Sequence, residues 1–104
     1  MAIYTITSID NASVGAGGRP VNRGEYDDAD QAIACAQQLV SQALLEHFLD
    51  AKDENDLMAR YMTSGREVPM IYGEPRAEFH AYRYARHRAA ELFAEKRRLV
   101  RPAI

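Results

Sequence analysis

The chain has 104 residues, of which 47% are hydrophobic and 27% are charged, and its formal net charge is −2. These proportions are close to the averages for soluble globular domains, which excludes a chain that is disordered throughout. The charge is unevenly divided, because residues 1–75 carry 5 Lys/Arg and 12 Asp/Glu while residues 76–104 carry 8 and 3. The chain thus has an acidic body, residues 1–75, and a basic tail, residues 76–104. This division affects which partners the protein attracts and says little about its fold.

Length and residue types predict one small domain over residues 1–104. The single cysteine, Cys35, excludes a disulfide within the chain, and the sequence has neither a zinc-binding Cys/His spacing nor a calcium-binding loop, so we expect no cofactor. The first ten residues lack a basic start followed by an apolar run, and the longest uncharged stretch, residues 31–45, is too short to span a bilayer. We therefore expect a cytoplasmic protein without a membrane segment.

The first third of the chain predicts a strand, a loop and the start of a helix. Residues 2–9 are β-branched and aromatic and alternate between two faces, which is typical of a strand. Residues 10–25 are rich in Gly, Pro and Asn and indicate a loop, which leaves a short return strand near residues 19–23 as an open alternative. The acidic stretch 26–30 supplies a cap and first-turn carboxylates for a helix that runs to about Ala51.

This first helix has an apolar face and an uncharged one. The apolar face, which we expect to pack on the core, consists of Ala29, Ile33, Ala36, Val40, Ala43, Leu44 and His47. The outward positions carry no charge between Gln31 and Leu45. They are Gln31, Ala34, Gln38, Ser41, Gln42, Leu45 and Leu49.

The second half of the chain predicts a short helix, a short strand and a long helix. A helix is expected at residues 54–64 with Gly65 at its end. Residues 67–72 are a candidate for a short strand, which Pro69 restricts to an edge strand or an irregular strand. The last helix begins at Pro75 and ends at Pro102. Its apolar side comprises Phe79, Tyr82, Ala85, Ala89, Leu92, Phe93 and Val100.

Together these elements predict an α+β fold in two layers. Two long helices and one short helix pack on a small sheet of two or three short strands.

A polar seam on the last helix brings together side chains that can hold protons or metals. His80, Tyr84, His87 and Glu91 fall within about 60° of one another around a helix of 3.6 residues per turn. They are candidates for metal ligation or acid–base chemistry, while the alternative interpretation is a solvated helix face. Sequence alone does not reveal whether this seam borders a pocket.

The basic residues of the same helix are candidates for nucleic-acid binding. Lys and Arg neutralise phosphates, and a tyrosine can stack on a base. The candidate residues are Arg83, Tyr84, Arg86, Arg97 and Arg98. The acidic body works against this interpretation, and the alternative is that several arginines pair with acidic residues of the first half of the chain. Those acidic residues are Asp27, Asp28, Asp30, Asp53, Glu54 and Asp56.

The uncharged side of the first helix is the strongest functional signal in the sequence. Exposed helix faces usually carry Lys and Glu, whereas depletion of charge with a few exposed apolar residues is typical of the centre of a protein–protein interface. The interface candidates are Gln38, Ser41, Gln42, Leu45 and Leu49. The alternative is that the short helix or the Gly-rich loop covers this side within one molecule.

These patterns favour a small cytoplasmic protein-interaction domain without catalytic activity, either a homodimer or a component that docks on another protein as an adaptor or inhibitor. Nucleic-acid binding through the basic last helix is the alternative. His47 is expected to be a hydrogen-bonded core histidine, and Cys35 a structural residue. The glycines at positions 15, 17 and 18 match neither the dinucleotide-binding fingerprint nor the P-loop, so we expect a flexible loop there.

Overall fold

The structure is a computed structural model that describes residues 3–11 and 19–99. Within these ranges three strands and three helices follow the predicted order, which confirms the α+β class. The elements are β1 (Tyr4–Ile9), β2 (Val21–Tyr26), α1 (Ala29–Phe48), α2 (Glu54–Ser64), β3 (Val68–Tyr72) and α3 (Ala81–Leu99). The Gly-rich loop tip and the predicted helix end at Pro102 lie outside the described residues.

The sheet is antiparallel with the strand order β2-β1-β3. The return strand that the sequence left open is therefore present as β2, and β3 lies at an edge, as Pro69 predicted. The inward side of β1 carries Tyr4, Ile6 and Ser8, all buried. The register of β1 with β2 shifts between Ile6 and Thr7, opposite Gly24, whose φ of 124° is a backbone conformation that glycine adopts without strain.

Helix α1 starts at the predicted acidic stretch, where the Asp28 carboxylate accepts a hydrogen bond from the Asp30 backbone N–H at 3.0 Å. It ends at Phe48, three residues before the predicted end. The residues it buries belong to two hydrophobic clusters, one with the sheet and one with α2 and α3. These buried residues are Ala32, Ala36, Val40, Ala43 and Leu44. Three of the five are alanines, so the backbone of α1 can pack closely against its neighbours.

Helix α2 has the predicted bounds, and reciprocal hydrogen bonds cap its start. The Asp53 carboxylate accepts from the Asp56 N–H at 2.8 Å, and the Asp56 carboxylate accepts from the Lys52 N–H at 2.9 Å. At the other end a Cβ on Gly65 would lie 2.5 Å from the Tyr61 ring, so glycine is needed there for close approach. The buried Tyr61 hydroxyl donates to the Glu67 carbonyl oxygen at 2.6 Å, which ties α2 to β3.

The prediction that the last helix begins at Pro75 is wrong, because α3 begins at Ala81. The Glu74–Pro75 peptide bond is cis, and the Pro75 carbonyl oxygen accepts a hydrogen bond from the buried Tyr4 hydroxyl at 2.6 Å. From residue 76 to residue 81 burial alternates, with Ala77 and Phe79 turned toward the core. Burial that alternates from one residue to the next is typical of an extended segment. The residues after Pro75 therefore continue as an extended segment, although a proline often marks the start of a helix.

Substitution at a close-packed alanine should test how tightly α3 packs in the core. Ala89 is fully buried in the cluster that α3 forms with α1 and α2. Ala89→Leu should lower the free energy of unfolding by about 1–3 kcal/mol, because extra methylenes force a packed core apart. Ala94→Leu on the exposed side of α3 is the matched control and should change it by less than about 0.5 kcal/mol. Equal effects of the two substitutions in urea unfolding would contradict this packing.

The start of α2 should make stability depend on pH. The Lys52 N–H, and then the Arg60 guanidinium at 3.3 Å, hold the pKa of Asp56 below its ordinary value. A depressed folded-state pKa contributes stability above the unfolded pKa of about 4, and this stability is lost as the pH falls through the folded value. Asp56→Asn should therefore lower the Tm at pH 7, and its difference from wild type should shrink below about pH 4.

Asp27→Asn is the control for this measurement, because the exposed Asp27 carboxylate forms no hydrogen bond or ion pair within the described residues. Thermal melts of the three proteins between pH 3 and 7 make the comparison. A Tm difference between wild type and Asp56→Asn that stays constant over this range would contradict the assignment.

Candidate functional site

The outward side of α1 forms one uncharged, exposed strip along the molecule. We call it the outer α1 face and define it by Gln31, Ala34, Gln38, Gln42, Leu45 and Leu49, all of which are exposed. Leu45 is 50% exposed and Leu49 is 91% exposed. From Gln31 to Leu49 the strip is about 27 Å long at 1.5 Å per residue. Neither α2 nor any other described segment buries it.

Ser41 lies at the margin of this face and not on it. Its side chain is half-buried, and its hydroxyl is 3.3 Å from the hydroxyl of Tyr84 on α3, so that either group can donate. Of the five interface candidates, the structure therefore places Gln38, Gln42, Leu45 and Leu49 on the open side and Ser41 against α3. Ser41 is half-buried because α3 packs beside it. Its angular position on an isolated helix predicts exposure instead.

The polar seam of α3 borders a shallow groove between α1 and α3. The groove has a volume of about 400 Å³ and is lined by Ile33, Gln37, Glu78, Phe79, His80, Arg83, Tyr84 and His87. Glu91 is not among its lining residues, and the His87 Nε2 lies 3.8 Å from a Glu91 carboxylate oxygen on the exposed side of the helix. His80 precedes the helix, and its carbonyl oxygen accepts the hydrogen bond of the Tyr84 N–H at 3.0 Å.

Tyr84 is held by contacts within the molecule. Its hydroxyl contacts the hydroxyl of Ser41, and the centroid of its ring lies 6.0 Å from the centroid of the Phe79 ring. A tyrosine fixed at both its ring and its hydroxyl must give up these contacts to stack on a nucleic-acid base. This geometry weakens the stacking role that the sequence assigned to Tyr84.

The basic residues of α3 find few acidic partners in the first half of the chain. Arg97 lies 3.8 Å from Glu54, the one such ion pair formed by α3 within residues 3–11 and 19–99. Arg88 pairs with Glu91 on its own helix, and Arg83, Arg86 and Arg98 form no ion pair in the described part of the chain. The expected pairing with the acidic body is therefore found at Glu54 but not at the other five acidic residues named for it.

A second concavity was not foreseen from the sequence. We call it the arginine cleft, and it has a volume of about 460 Å³. It lies between the β1–β2 pair, the second half of α1 and the α2–β3 connection. Its lining residues are Ser8, Asp10, Arg19, Val21, Arg23, Gln42, Ala43, Glu46, Arg66 and Glu67.

Two of the three arginines of the cleft lie in ion pairs, and one of these pairs is bidentate. Arg23 makes a bidentate pair with Glu67, in which its Nη2 bonds one carboxylate oxygen and its Nε lies 3.3 Å from the other. Arg66 lies 3.7 Å from Glu46. Arg19 is exposed and forms no ion pair within the described residues. At the wall of the cleft Ser8 is 2% exposed, and its hydroxyl has no hydrogen-bond partner in the described structure.

Two signals in the sequence could have indicated this cleft. Ser8 is a polar residue on the face of β1 that otherwise turns Tyr4 and Ile6 inward. Arg19 and Arg23 flank the start of the return strand, so the hairpin places both beside β1. The contribution of Arg66 and Glu67 depends on tertiary structure, because the Asn11 N–H donates to the Gly65 carbonyl oxygen at 2.9 Å and joins distant parts of the chain.

The expectation for His47 is corrected in one respect. The side chain is half-buried on the inward side of α1, but its buried Nε2 has no hydrogen-bond partner among the described residues. Cys35 is half-buried, and its sulfur accepts a hydrogen bond from the Tyr26 hydroxyl at 2.9 Å. This bond, followed by burial, raises the pKa of Tyr26. The contact joins β2 to α1 and gives Cys35 a structural role.

The described part of the chain has neither a metal-binding cluster nor a membrane-spanning helix. Residues 3–11 and 19–99 contain no cluster of three His, Cys, Asp or Glu side chains placed to hold a metal ion. The helices they form are too short or too polar to cross a membrane. Comparisons with protein-family models, curated proteins and solved structures found no match to this chain.

Proposed function

We propose that the chain is a small, non-catalytic protein-interaction domain, and that its partner on the outer α1 face is a second copy of the same chain. The observation that carries this proposal is the exposure of Leu45 and Leu49 on a strip without charge over 15 residues. A water-facing helix gains solubility from Lys and Glu, whereas α1 has no lysine and carries only Asp30 and Glu46 as charged residues, near its two ends. Leucines gain free energy when a protein covers them, and a glutamine amide costs less to desolvate than a charged group and can regain hydrogen bonds across the contact.

Self-association is favoured over a different partner because the face is complementary to itself. In a two-fold symmetric dimer the same patch meets itself, so a charge near the axis would face a like charge. Glutamine amides carry both donors and acceptors and can pair with their own copies. A strip of one helix is smaller than a standard interface of about 800 Å² per partner, so we expect reversible association.

A reducing, cytoplasmic location is part of the same proposal. The chain has a single cysteine and so cannot form an internal disulfide, the bond that is typical of proteins in oxidising compartments. As a homodimeric accessory protein, an adaptor or an inhibitor, the domain would act by covering a surface, and no reacting group is needed for that.

Sedimentation across a dilution series should show the mass rising from the 11.7 kDa of one chain toward twice that value. Leu45→Glu and Leu49→Glu should each weaken dimerisation at least tenfold, because a carboxylate would be buried without a partner. Met62→Glu is the matched control, since Met62 on α2 is 51% exposed and lies outside the outer α1 face. Salt should change the dissociation constant little, because the contact is uncharged.

Two results would contradict the proposal. One is a wild-type protein that stays monomeric up to millimolar concentration. The other is an association that Met62→Glu weakens as much as Leu49→Glu does.

Nucleic-acid binding is kept as the second candidate because three arginines of α3 remain unpaired in the described structure. These are Arg83, Arg86 and Arg98. This candidate predicts that labelled single- or double-stranded oligonucleotides bind with an affinity that falls steeply with salt, and that Arg83→Gln and Arg86→Gln reduce the slope. Absence of any mobility shift at low ionic strength would dismiss it. Salt dependence thus separates the two candidates, because dimerisation through uncharged side chains is nearly insensitive to salt.

A further inference from the structure

We propose that the arginine cleft binds a small organic anion that carries a carboxylate or phosphate group. This site is separate from the dimerisation proposed above and goes beyond it. The two surfaces meet at Gln42, which lies on the outer α1 face and also lines the cleft. Gln42 is the one residue that they share, and the substitutions that test them lie at other positions, so each proposal can fail without the other.

The cleft is neutral in formal charge but rich in unused hydrogen-bond donors. Three arginines face three acidic residues across it. Two of the three carboxylates lie beside arginines, since Glu67 accepts from Arg23 and Glu46 lies 3.7 Å from Arg66. A guanidinium has five N–H donors, so each pair leaves several unused, and Arg19 keeps all of its own within the described structure. An acceptor-rich ligand fits such a surplus of donors.

One ion pair also holds a guanidinium of the cleft in place before a ligand arrives. The bidentate bond to Glu67 fixes the plane of the Arg23 guanidinium and leaves its Nη1 edge free of that carboxylate. The Glu67 side chain is only 15% exposed, and its own carbonyl oxygen is bonded to the buried Tyr61 hydroxyl. A preorganised guanidinium binds an oxyanion with less loss of side-chain entropy than a free one.

The Ser8 hydroxyl is the second, independent observation that points to a ligand. Buried polar groups are nearly always hydrogen-bonded, and this one has no partner among the described residues. It belongs to a residue that lines the cleft, so a ligand in the cleft would displace no existing hydrogen bond of this hydroxyl. In the proposed complex this hydroxyl donates to an anion seated between the arginines.

The size and the remaining walls of the cleft set the class of ligand. A volume of about 460 Å³ lies within the range of small-molecule sites, which is roughly 300–1,000 Å³. Val21 and Ala43 give one part of it an apolar surface. An anion with a short carbon skeleton, such as a dicarboxylate or a phosphate monoester, satisfies both the donors and this wall.

Calorimetric titration at constant ionic strength tests the site, with inorganic phosphate in one arm and succinate in the other. Wild-type protein should bind at least one of them saturably, and the tighter arm identifies the anionic group. Arg19→Gln should weaken binding about tenfold without affecting the fold, because Arg19 is exposed and unpaired in the described structure. Ser8→Ala should weaken binding severalfold while leaving the Tm of the free protein unchanged or higher, since its hydroxyl has no bond to lose.

Two controls separate this site from general electrostatics and from the dimer. Arg83→Gln removes an unpaired arginine of α3 outside the cleft and should leave the affinity unchanged. Leu49→Glu disrupts the outer α1 face and should leave binding intact. The proposal is overturned if neither anion binds saturably, if Arg19→Gln and Ser8→Ala bind as wild type does, or if Arg83→Gln weakens binding as much as they do.

Discussion

Helix α1 carries the contact on which the rest of the structure depends. Its inward side belongs to both hydrophobic clusters, with Ala32 and Ala36 against the sheet and Val40, Ala43 and Leu44 against α2 and α3. Small residues let the helix lie close to its neighbours, so its rotation about its own axis is fixed. This rotation also determines which residues of α1 face outward. The uncharged strip faces outward because the other side is fully used by the core.

The same constraint places the arginine cleft. One wall of the cleft is the second half of α1, where Gln42, Ala43 and Glu46 follow one another along the helix flank. The sheet supplies the opposite wall through Ser8 and the β1–β2 pairing, and the α2–β3 connection closes the end with Arg66 and Glu67. The acidic body is thus less uniform than its net charge suggests, because three of its four arginines line one concave surface. Charge arrangement in space bears more directly on ligand choice than net charge does.

Much of the fold could be predicted from local signals in the sequence. Acidic caps and apolar periodicity located the starts of α1 and α2, and Pro69 assigned β3 to an edge. The start of α3 was misplaced because proline signals a helix start, whereas Ala77 and Phe79 pack as an extended segment against the core. The outer α1 face followed from periodicity except at Ser41, where a neighbouring helix decides exposure. Ser8 and the arginines of the hairpin indicate one side of the cleft, but its completion by Arg66 and Glu67 could not be predicted, because these residues reach it only through tertiary contacts.

A dilution series followed by amide chemical shifts tests the central claim most directly, because it reports the contact surface residue by residue without any substitution. The claim is that the core fixes α1 so that its uncharged side forms the contact between two copies. Amide resonances of Gln38, Gln42, Leu45 and Leu49 should move with protein concentration, while those of Arg83 and His87 in the α3 groove stay fixed. Shifts that do not depend on concentration, or changes centred on the sheet or on α3, would contradict the account.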